Sequence, residues 1–369
     1  MKTINSKKVV LGLAAIVAAM LTACGGGSTS TVVNGSTSTT VITPTTFTKV
    51  CADGSVKTSL ISLAAADAQC PRVSTIVTTV AAPTYAVASE ELSAYSLLNA
   101  QRTSCGFGSL AQNSMLDAAA LAHNDYQLRN NVSSHYESAT LFPLGFTGVT
   151  PTDRVLAQGY TNAGDVGDEY SINRGRSIKT GEGADAIRGL LNAPYHLMGL
   201  MTGFREVGIS VRSNTDVGTT NANVYTHLNL AYKAAAGQQL IASGEVKTYP
   251  CEGSVGLNRQ LQNETPNPVP GRNLATTPLG TAIYVQVRDG DVLTLTSASL
   301  TQISTGLPVV LRTPMNAAND PNEILKGHQA FILADSPMAA NASFQAIING
   351  TNNGVAFSRT FTFTTGSGG

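Results

Sequence analysis

The sequence predicts an α+β protein, helical and mixed through its centre and all-β towards its C-terminus. Two periodicities carry that reading. Between residues 88 and 233, apolar residues recur every three to four positions in successive segments before giving way to two strand-like runs. Beyond residue 272 they fall into short β-rich runs separated by turn residues. The third observation is size: 369 residues, 42% of them hydrophobic, suffice for a core and, at about 100–200 residues per domain, for two domains with extra segments.

Lysine plus arginine balances aspartate plus glutamate, 23 against 23, and only 12% of residues are charged. With no long basic run, such a balance leaves no electrostatic footprint for nucleic acid. Low charge with abundant Ser, Thr, Gly and Asn points to an exported protein.

Residues 1–23 read as a secretory signal. Lys2, Lys7 and Lys8 precede an apolar run from Val9 to Leu21, shorter than the ~20 residues of a membrane helix, which ends in Leu21-Thr22-Ala23-Cys24. That tetrapeptide resembles the lipobox of bacterial lipoproteins, and the resemblance implies that Cys24 receives a diacylglyceryl thioether and becomes the new N-terminus. Several acyl chains would hold the protein stably to a membrane, since one alone binds only marginally. Gly25, in place of the aspartate of the enterobacterial sorting rule, implies the outer membrane of the bacterial envelope. Losing three of the 23 basic residues with the signal leaves a formal charge of −3.

Residues 24–50 form an expected tether: from Gly25 to Val50, 13 of 26 residues are Ser or Thr and Lys49 is the lone charge. Four cysteines follow, Cys51, Cys70, Cys105 and Cys251, an even number that in an exported chain points to two disulfides with three possible connectivities. Cys51 and Cys70 bracket a short segment with a helix-like pattern at Leu60, Leu63 and Ala64, so they are paired as a local staple within residues 51–87, leaving Cys105 for Cys251. No Cys-x-x-Cys suggests a zinc site.

The central domain is read as residues 88–235. Ser89-Glu90-Glu91 opens a helix with Leu92, Tyr95, Leu98 and Arg102 on related faces. A second helix begins at Ser114, whose hydroxyl is the expected cap with Asp117 in the capping-box position. Met115, Leu116, Ala119, Ala120, His123 and Gln127 recur along it, so His123 reads as a half-buried packing residue. Ser133-Ser134-His135-Tyr136 and a Gly- and Pro-broken loop lead to a short helix from Thr152 that ends at Gly159. A further helix spans Ala184 to Leu191, Phe204 to Val211 is a strand, and the alternating Tyr225 to Tyr232 is its antiparallel partner.

The order of motifs resembles the CAP superfamily, which comprises the cysteine-rich secretory proteins, antigen-5 allergens and pathogenesis-related proteins with their bacterial SCP-like relatives. The residues that carry it are Leu98-Asn99-Ala100-Gln101-Arg102, Ala120-Leu121-Ala122-His123, Ser134-His135, Asp153-Arg154 to Gly159-Tyr160, Gly167-Asp168-Glu169, Leu190 to His196, and Phe204-Arg205-Glu206-Val207-Gly208-Ile209. The resemblance implies an α-β-α sandwich with an open cleft that gathers two histidines and acidic residues. His135 and His196 occupy the histidine positions, and Glu169 or Asp168 the acidic one. The family's Gly-Glu-Asn stands here as Gly-Asp-Glu, its later Trp as Leu190, and its second acid has no counterpart, for which Glu206 is a candidate substitute.

Two neutral imidazoles and a carboxylate could hold a divalent ion such as Zn²⁺ with a position open for water, the arrangement of a metal-dependent hydrolase. His-Glu-x-x-His and Gly-x-Ser-x-Gly are absent, and no residue is assigned a catalytic role. The favoured expectation is a binding module at the envelope, for a lipid, glycan or protein ligand. A hydrolase of peptide, ester or cell-wall substrates using His135, His196 and Glu169 is the alternative, and a structural envelope protein the second.

Residues 236–272, with Pro266, Pro268 and Pro270, read as a linker. In residues 273–369, six or seven short strands predict a β-sandwich, with an Asp289-Gly290 hairpin between the runs 282–287 and 292–295 and a further strand at Val309 to Leu311. The closing Phe361 to Thr365, with the stretch from Leu333 to Phe344, resembles bacterial Ig-like domains; His328 is expected to be solvated, and the domain to serve spacing or recognition.

Overall fold

The computed structural model describes residues 45–369 apart from 52–53, 64–65, 67–68, 176, 219–222 and 369. The expected signal, Cys24 and most of the tether lie outside the described residues. The chain divides at Pro71 into two units.

In the first unit, β1 (Phe47–Val50) and β2 (Val56–Ser59) pair antiparallel, Phe47 opposite Ser59. The end of the expected tether is thus a strand, in keeping with its β-branched Thr and Val. Cys51 is bonded to Cys70, and Cys105, in the second unit, to Cys251.

The second unit begins with an extended stretch expected to belong to the stapled segment. Thr75 N donates to Leu240 O at 2.8 Å and Ser109 N to Val77 O at 2.7 Å, which ties this stretch to the folded body. Helix α1 (Glu90–Ser104) starts where Ser89 Oγ accepts from Leu92 N at 3.1 Å. Its Arg102 is fully buried, with carbonyls of Phe107, Gly108, Leu200 and Thr202 around the guanidinium. After the short β3 (Ala111–Gln112) comes α2 (Ser114–Asn130). Its cap is Asn113, not Ser114: Asn113 Oδ1 accepts from Met115 N at 3.0 Å, while Asp117 is drawn away to Tyr85 Oη and Ile209 N. Helix α3 (Pro151–Ala157) has a complete capping box between Thr150 and Asp153.

Strand β4 (Ala163–Arg174) leads to α4 (Glu182–Leu190), α5 (Pro194–Met201), β5 (Glu206–Ser213) and β6 (Asn223–Lys233). The sheet runs β3-β5-β6-β4, so β4 is an edge. Helix α2 packs on β5 and β6, whereas α1 packs on α4 and both α4 and α5 meet β4, giving an α+β body with helices about a sheet. The fold class read from the sequence is observed.

Two further four-stranded sheets follow. One is ordered β11-β12-β9-β7, from β7 (Lys247–Tyr249), β9 (Ala282–Gln286), β11 (Met315–Asn316) and β12 (Gln329–Leu333). The other is ordered β10-β13-β14-β8, from β8 (Ser254–Leu257), β10 (Leu293–Gln302), β13 (Ser343–Asn352) and β14 (Val355–Thr365). Three sequence expectations change here. The stretch 236–272 supplies one strand to each sheet, with Thr248 opposite Val285 and Ser254 opposite Phe363. Asp289-Gly290 makes no hairpin, because Val287 N and Leu293 N bond to His328 O and Gly327 O, and the turn carries the chain between sheets. Val309 to Leu311 makes only isolated contacts, such as Leu311 with Ala334. His328 is also largely buried, its Nδ1 3.3 Å from Asp289 Oδ1.

The larger hydrophobic core runs from Leu98, Leu197 and Leu228 to Val285, Phe331 and Phe363, and a smaller one, of Leu116, Ala119, Val155, Tyr160 and Ala231, lies beneath α2 and α3. The helical and β halves are therefore packed together, with α5 against β9.

Candidate functional site

The edge strand β4 organises the site. Asp168 and Glu169 are consecutive, so the alternation of a strand sends their side chains to opposite faces. Each meets one of the two expected histidines.

On one face, His135 Nδ1 lies 2.8 Å from Asp168 Oδ1, with its ring against Tyr170 at 4.8 Å between centroids. Arg154 of α3 locks the pair: it donates to Asp168 Oδ2 at 2.9 Å and to the carbonyl of His135 at 2.9 Å. His135 keeps 37% of its side chain exposed, while Arg154 is fully buried. Burial pulls the imidazole downward, but the bond to Asp168, its charge and that of Glu169 prevail, and His135 titrates above its ordinary value. It also feels the charge of His196, so the two pairs act on each other.

On the other face, His196 in the first turn of α5 has Nδ1 2.6 Å from Glu169 Oε2. Burial again opposes, but Glu169, then Glu264 and Asp168, push His196 up to about 9. Burial raises Glu169 as well, against the pull of His196. The pair consequently keeps a shared proton through the neutral range. Glu264 comes from the expected linker, 5% exposed, and its oxygens make no hydrogen bond of ordinary geometry. It faces the amides of Tyr195 and His196, which α5 leaves open because its cap, Ala193, has no acceptor side chain. Burial pushes Glu264 up to about 7.

Behind His135 lies a buried polar layer. His123 is not half-buried but fully enclosed, with Nδ1 2.8 Å from Glu137 Oε1 and Nε2 2.9 Å from the carbonyl of Ser134. Among the described residues, neither nitrogen of His227 in β6 makes a hydrogen bond of ordinary geometry, and its Nε2 lies 3.4 Å from Asp168 Oδ2. Burial, then the charges of His123 and Arg154, hold it well below its ordinary value, so it is neutral.

Among the described residues, the group with metal-compatible spacing is His123, Asp168 and His227, with ligand atoms within 4.8 Å of one another. His135 and His196, the expected ligands, are not in it. The hydrogen bonds argue against an ion in that group. A carbonyl only accepts, so His123 Nε2 carries a proton, and its Nδ1 is engaged by Glu137. Arg154 already occupies Asp168 Oδ2, and His227 alone is uncommitted. The residues fit a neutral and cationic hydrogen-bonded layer better than a divalent ion.

Glu206, the substitute acid, is elsewhere: it accepts from Asn113 Nδ2 at 2.8 Å and from Tyr160 Oη, joining the start of β5 to the cap of α2. Arg154, Glu137, His227 and Glu264 were not read as site residues. His227 had a signal, since Asn223, Tyr225, His227 and Asn229 put polar groups on one face of a strand that is buried on both. Arg154 stood inside a quoted motif. Glu264 had none, because its place depends on the fold of residues far apart in sequence.

No described helix is long and apolar enough to cross a membrane. No protein-family model matches the chain, and no curated protein does. Among solved structures, an outer surface protein of Borrelia burgdorferi is similar at 16% identity and a TM-score of 0.29, over 38% of this chain and 89% of that one. An extracellular protein containing a SCP domain from Bacillus anthracis is similar at 20% identity and a TM-score of 0.30, over 39% of this chain and 40% of that one. At these scores neither likeness bears on function.

Proposed function

We propose that the chain is an exported, lipid-anchored CAP-like binding protein of the bacterial cell envelope, at the outer membrane, whose cleft takes an oxygen-rich ligand. The observation that carries this is the pairing of each imidazole, through Nδ1, with its own carboxylate on one edge strand. A carboxylate on Nδ1 fixes the ring and leaves Nε2 as the nitrogen for a ligand. His196, pushed up to about 9, carries a proton on Nε2 through the neutral range and donates, and His135, shifted in the same direction, donates likewise in its protonated form. Because the two pairs lie on opposite faces of the edge strand β4, a ligand meeting both donors would wrap that edge, which suits an extended, oxygen-rich molecule such as a glycan or a lipid headgroup. In that protonated form the imidazoles do not suit a metal, which needs the lone pair the proton occupies. The β-sandwich, Ig-like in this reading, positions the cleft or adds a recognition surface.

The test is calorimetric titration of the purified chain with envelope glycans and short-chain phospholipids, beside His135→Ala and His196→Ala. Binding should fall at least tenfold in both variants. Equal binding by all three proteins would refute the cleft reading, and metal-restored turnover of an ester or peptide would replace it with the hydrolase.

A further inference from the structure

The segment between His135 and α3 holds apolar side chains away from the core. Tyr136, Leu141, Phe142, Leu144, Phe146 and Val149 are all exposed, Leu141 to 72% and Tyr136 to 62%. Residues 139–146 form an unbroken exposed run. From Ser138 to Thr152 there is no charged residue.

The backbone beneath is fixed. Ser138 N donates to Tyr126 Oη at 2.8 Å, Asn130 Nδ2 to Leu144 O at 2.8 Å, and Thr147 N to Glu137 Oε2 at 2.7 Å. Phe142 N donates to Ser138 O at 2.9 Å. A loop with its polar groups so occupied presents its apolar side chains by construction, and a contiguous exposed apolar patch of this kind marks an interaction surface. Exposed Arg129, from the last turn of α2, lies against Gly145 of this run.

We propose that the 136–149 segment is a membrane-docking loop that inserts its aromatic and aliphatic side chains among the lipids of an anionic bilayer, with Arg129 at the phosphate level. Two observations and the anchoring reading select a bilayer. The patch is continuously exposed and its exposed side chains are uncharged, as insertion between lipids requires, and the cation stands beside it, where anionic headgroups would be. The chain outside the described residues ends, on the reading above, at the acylated Cys24. The 23 residues from Cys24 to Phe47 span at most ~80 Å, which keeps the folded units beside the bilayer. A lipid anchor and a shallow apolar contact are the two signals that stable attachment needs. The loop also adjoins His135, so docking would bring the cleft to the headgroup layer.

The inference rests on the anchoring reading for its partner, and the experiment separates the two. Exported full chain carrying Cys24→Ser, hence unacylated, is floated with vesicles of phosphatidylethanolamine and phosphatidylglycerol, or of phosphatidylcholine alone. It should rise with the anionic vesicles. Phe142→Ser with Leu144→Ser should lower the bound fraction tenfold or more, since each removes a large apolar side chain from the bilayer. Leu141→Asp, at the most exposed of these positions, should do the same without touching the fold. Arg129→Gln should abolish the preference for anionic lipid.

Failure of the Cys24→Ser chain to float, or equal flotation of the loop variants, would overturn the proposal. So would a concentration-dependent dimer abolished by the same substitutions, which would make a second copy the occupant. Native chain that labels with no fatty acid would instead sink the anchor and leave flotation of the Cys24→Ser chain as evidence for the loop.

Discussion

Glu264→Gln tests how the site is held together. The carboxyl is buried and titrates at about 7 in place of 4.5, so holding it ionised above neutral pH costs about 3 kcal/mol relative to the unfolded chain. Between pH 4.5 and 7 the folded chain binds more protons at this group than the unfolded one, so unfolding free energy falls as pH rises, and the loss is complete above 7. Glutamine keeps an acceptor for the amides of Tyr195 and His196 and has nothing to ionise. Part of the gain is offset, because ionised Glu264 supports the charge on His196. The variant should thus match the parent near pH 4.5 and exceed it by about 1–2 kcal/mol at pH 8, with His196 titrating below about 9. Urea unfolding with disulfides intact at four pH values, and the imidazole shifts of His196 by NMR, supply both readouts. A variant equally destabilised at pH 5 and pH 8, with His196 unmoved, would refute the reasoning.

Other outcomes follow from the same geometry. A Cβ on Gly199 would collide with the Glu169 carboxylate, a movable group whose displacement breaks its bond to His196. Gly199→Ala should therefore destabilise by about 1–3 kcal/mol, the loss of a charged hydrogen bond partly offset by the helix propensity of alanine, while lowering the His196 pKa towards its ordinary value, measured by NMR. Arg154→Met strips the cation from buried Asp168 and should destabilise by about 3–5 kcal/mol in urea, with His135 titrating higher still. Replacing Cys105 and Cys251 by serine reopens a loop spanning 146 positions and should cost about 4–5 kcal/mol, read from the same unfolding curves. Zinc titration at pH 7 should show no stoichiometric binding that His135→Ala removes.

Local rules were legible in the sequence where neighbours in the chain decide them. Ser89 caps α1, Gly159 follows α3, and the two disulfides join the cysteines as paired. The histidines and their acids were also legible, but not their pairing: Asp168 and Glu169 read as alternatives for one role, whereas strand alternation gives each its own histidine. Asn113 took the cap from Ser114 because Asp117 is needed by Tyr85 and β5, a tertiary demand that outranks a local motif. Asp289-Gly290 shows the same ranking. A turn signal says that the chain reverses, not which strands it then joins, and the pairing partners of β9 and β10 come from residues 329–333 and 343–352. Glu264 and the two linker strands were invisible for a similar reason, since their partners lie 37 positions later for Thr248, 109 later for Ser254 and 68 earlier for Glu264 at His196.

The parallel pairing of β8 with β14 has a consequence for folding under the proposed export. Ser254 and Leu257 find their partners only in Phe363 and Thr365, so the sheet that carries β8 stays open at that edge until residues 355–365 have been delivered. β8 follows Cys251, whose bond to Cys105 ties this region back to the end of α1. A chain emerging from a secretion channel N-terminus first would therefore hold residues 254–257 without their strand partners until its last residues had passed. On the export reading proposed above, the period before the last strands arrive is the one in which envelope chaperones and disulfide-forming enzymes would have access.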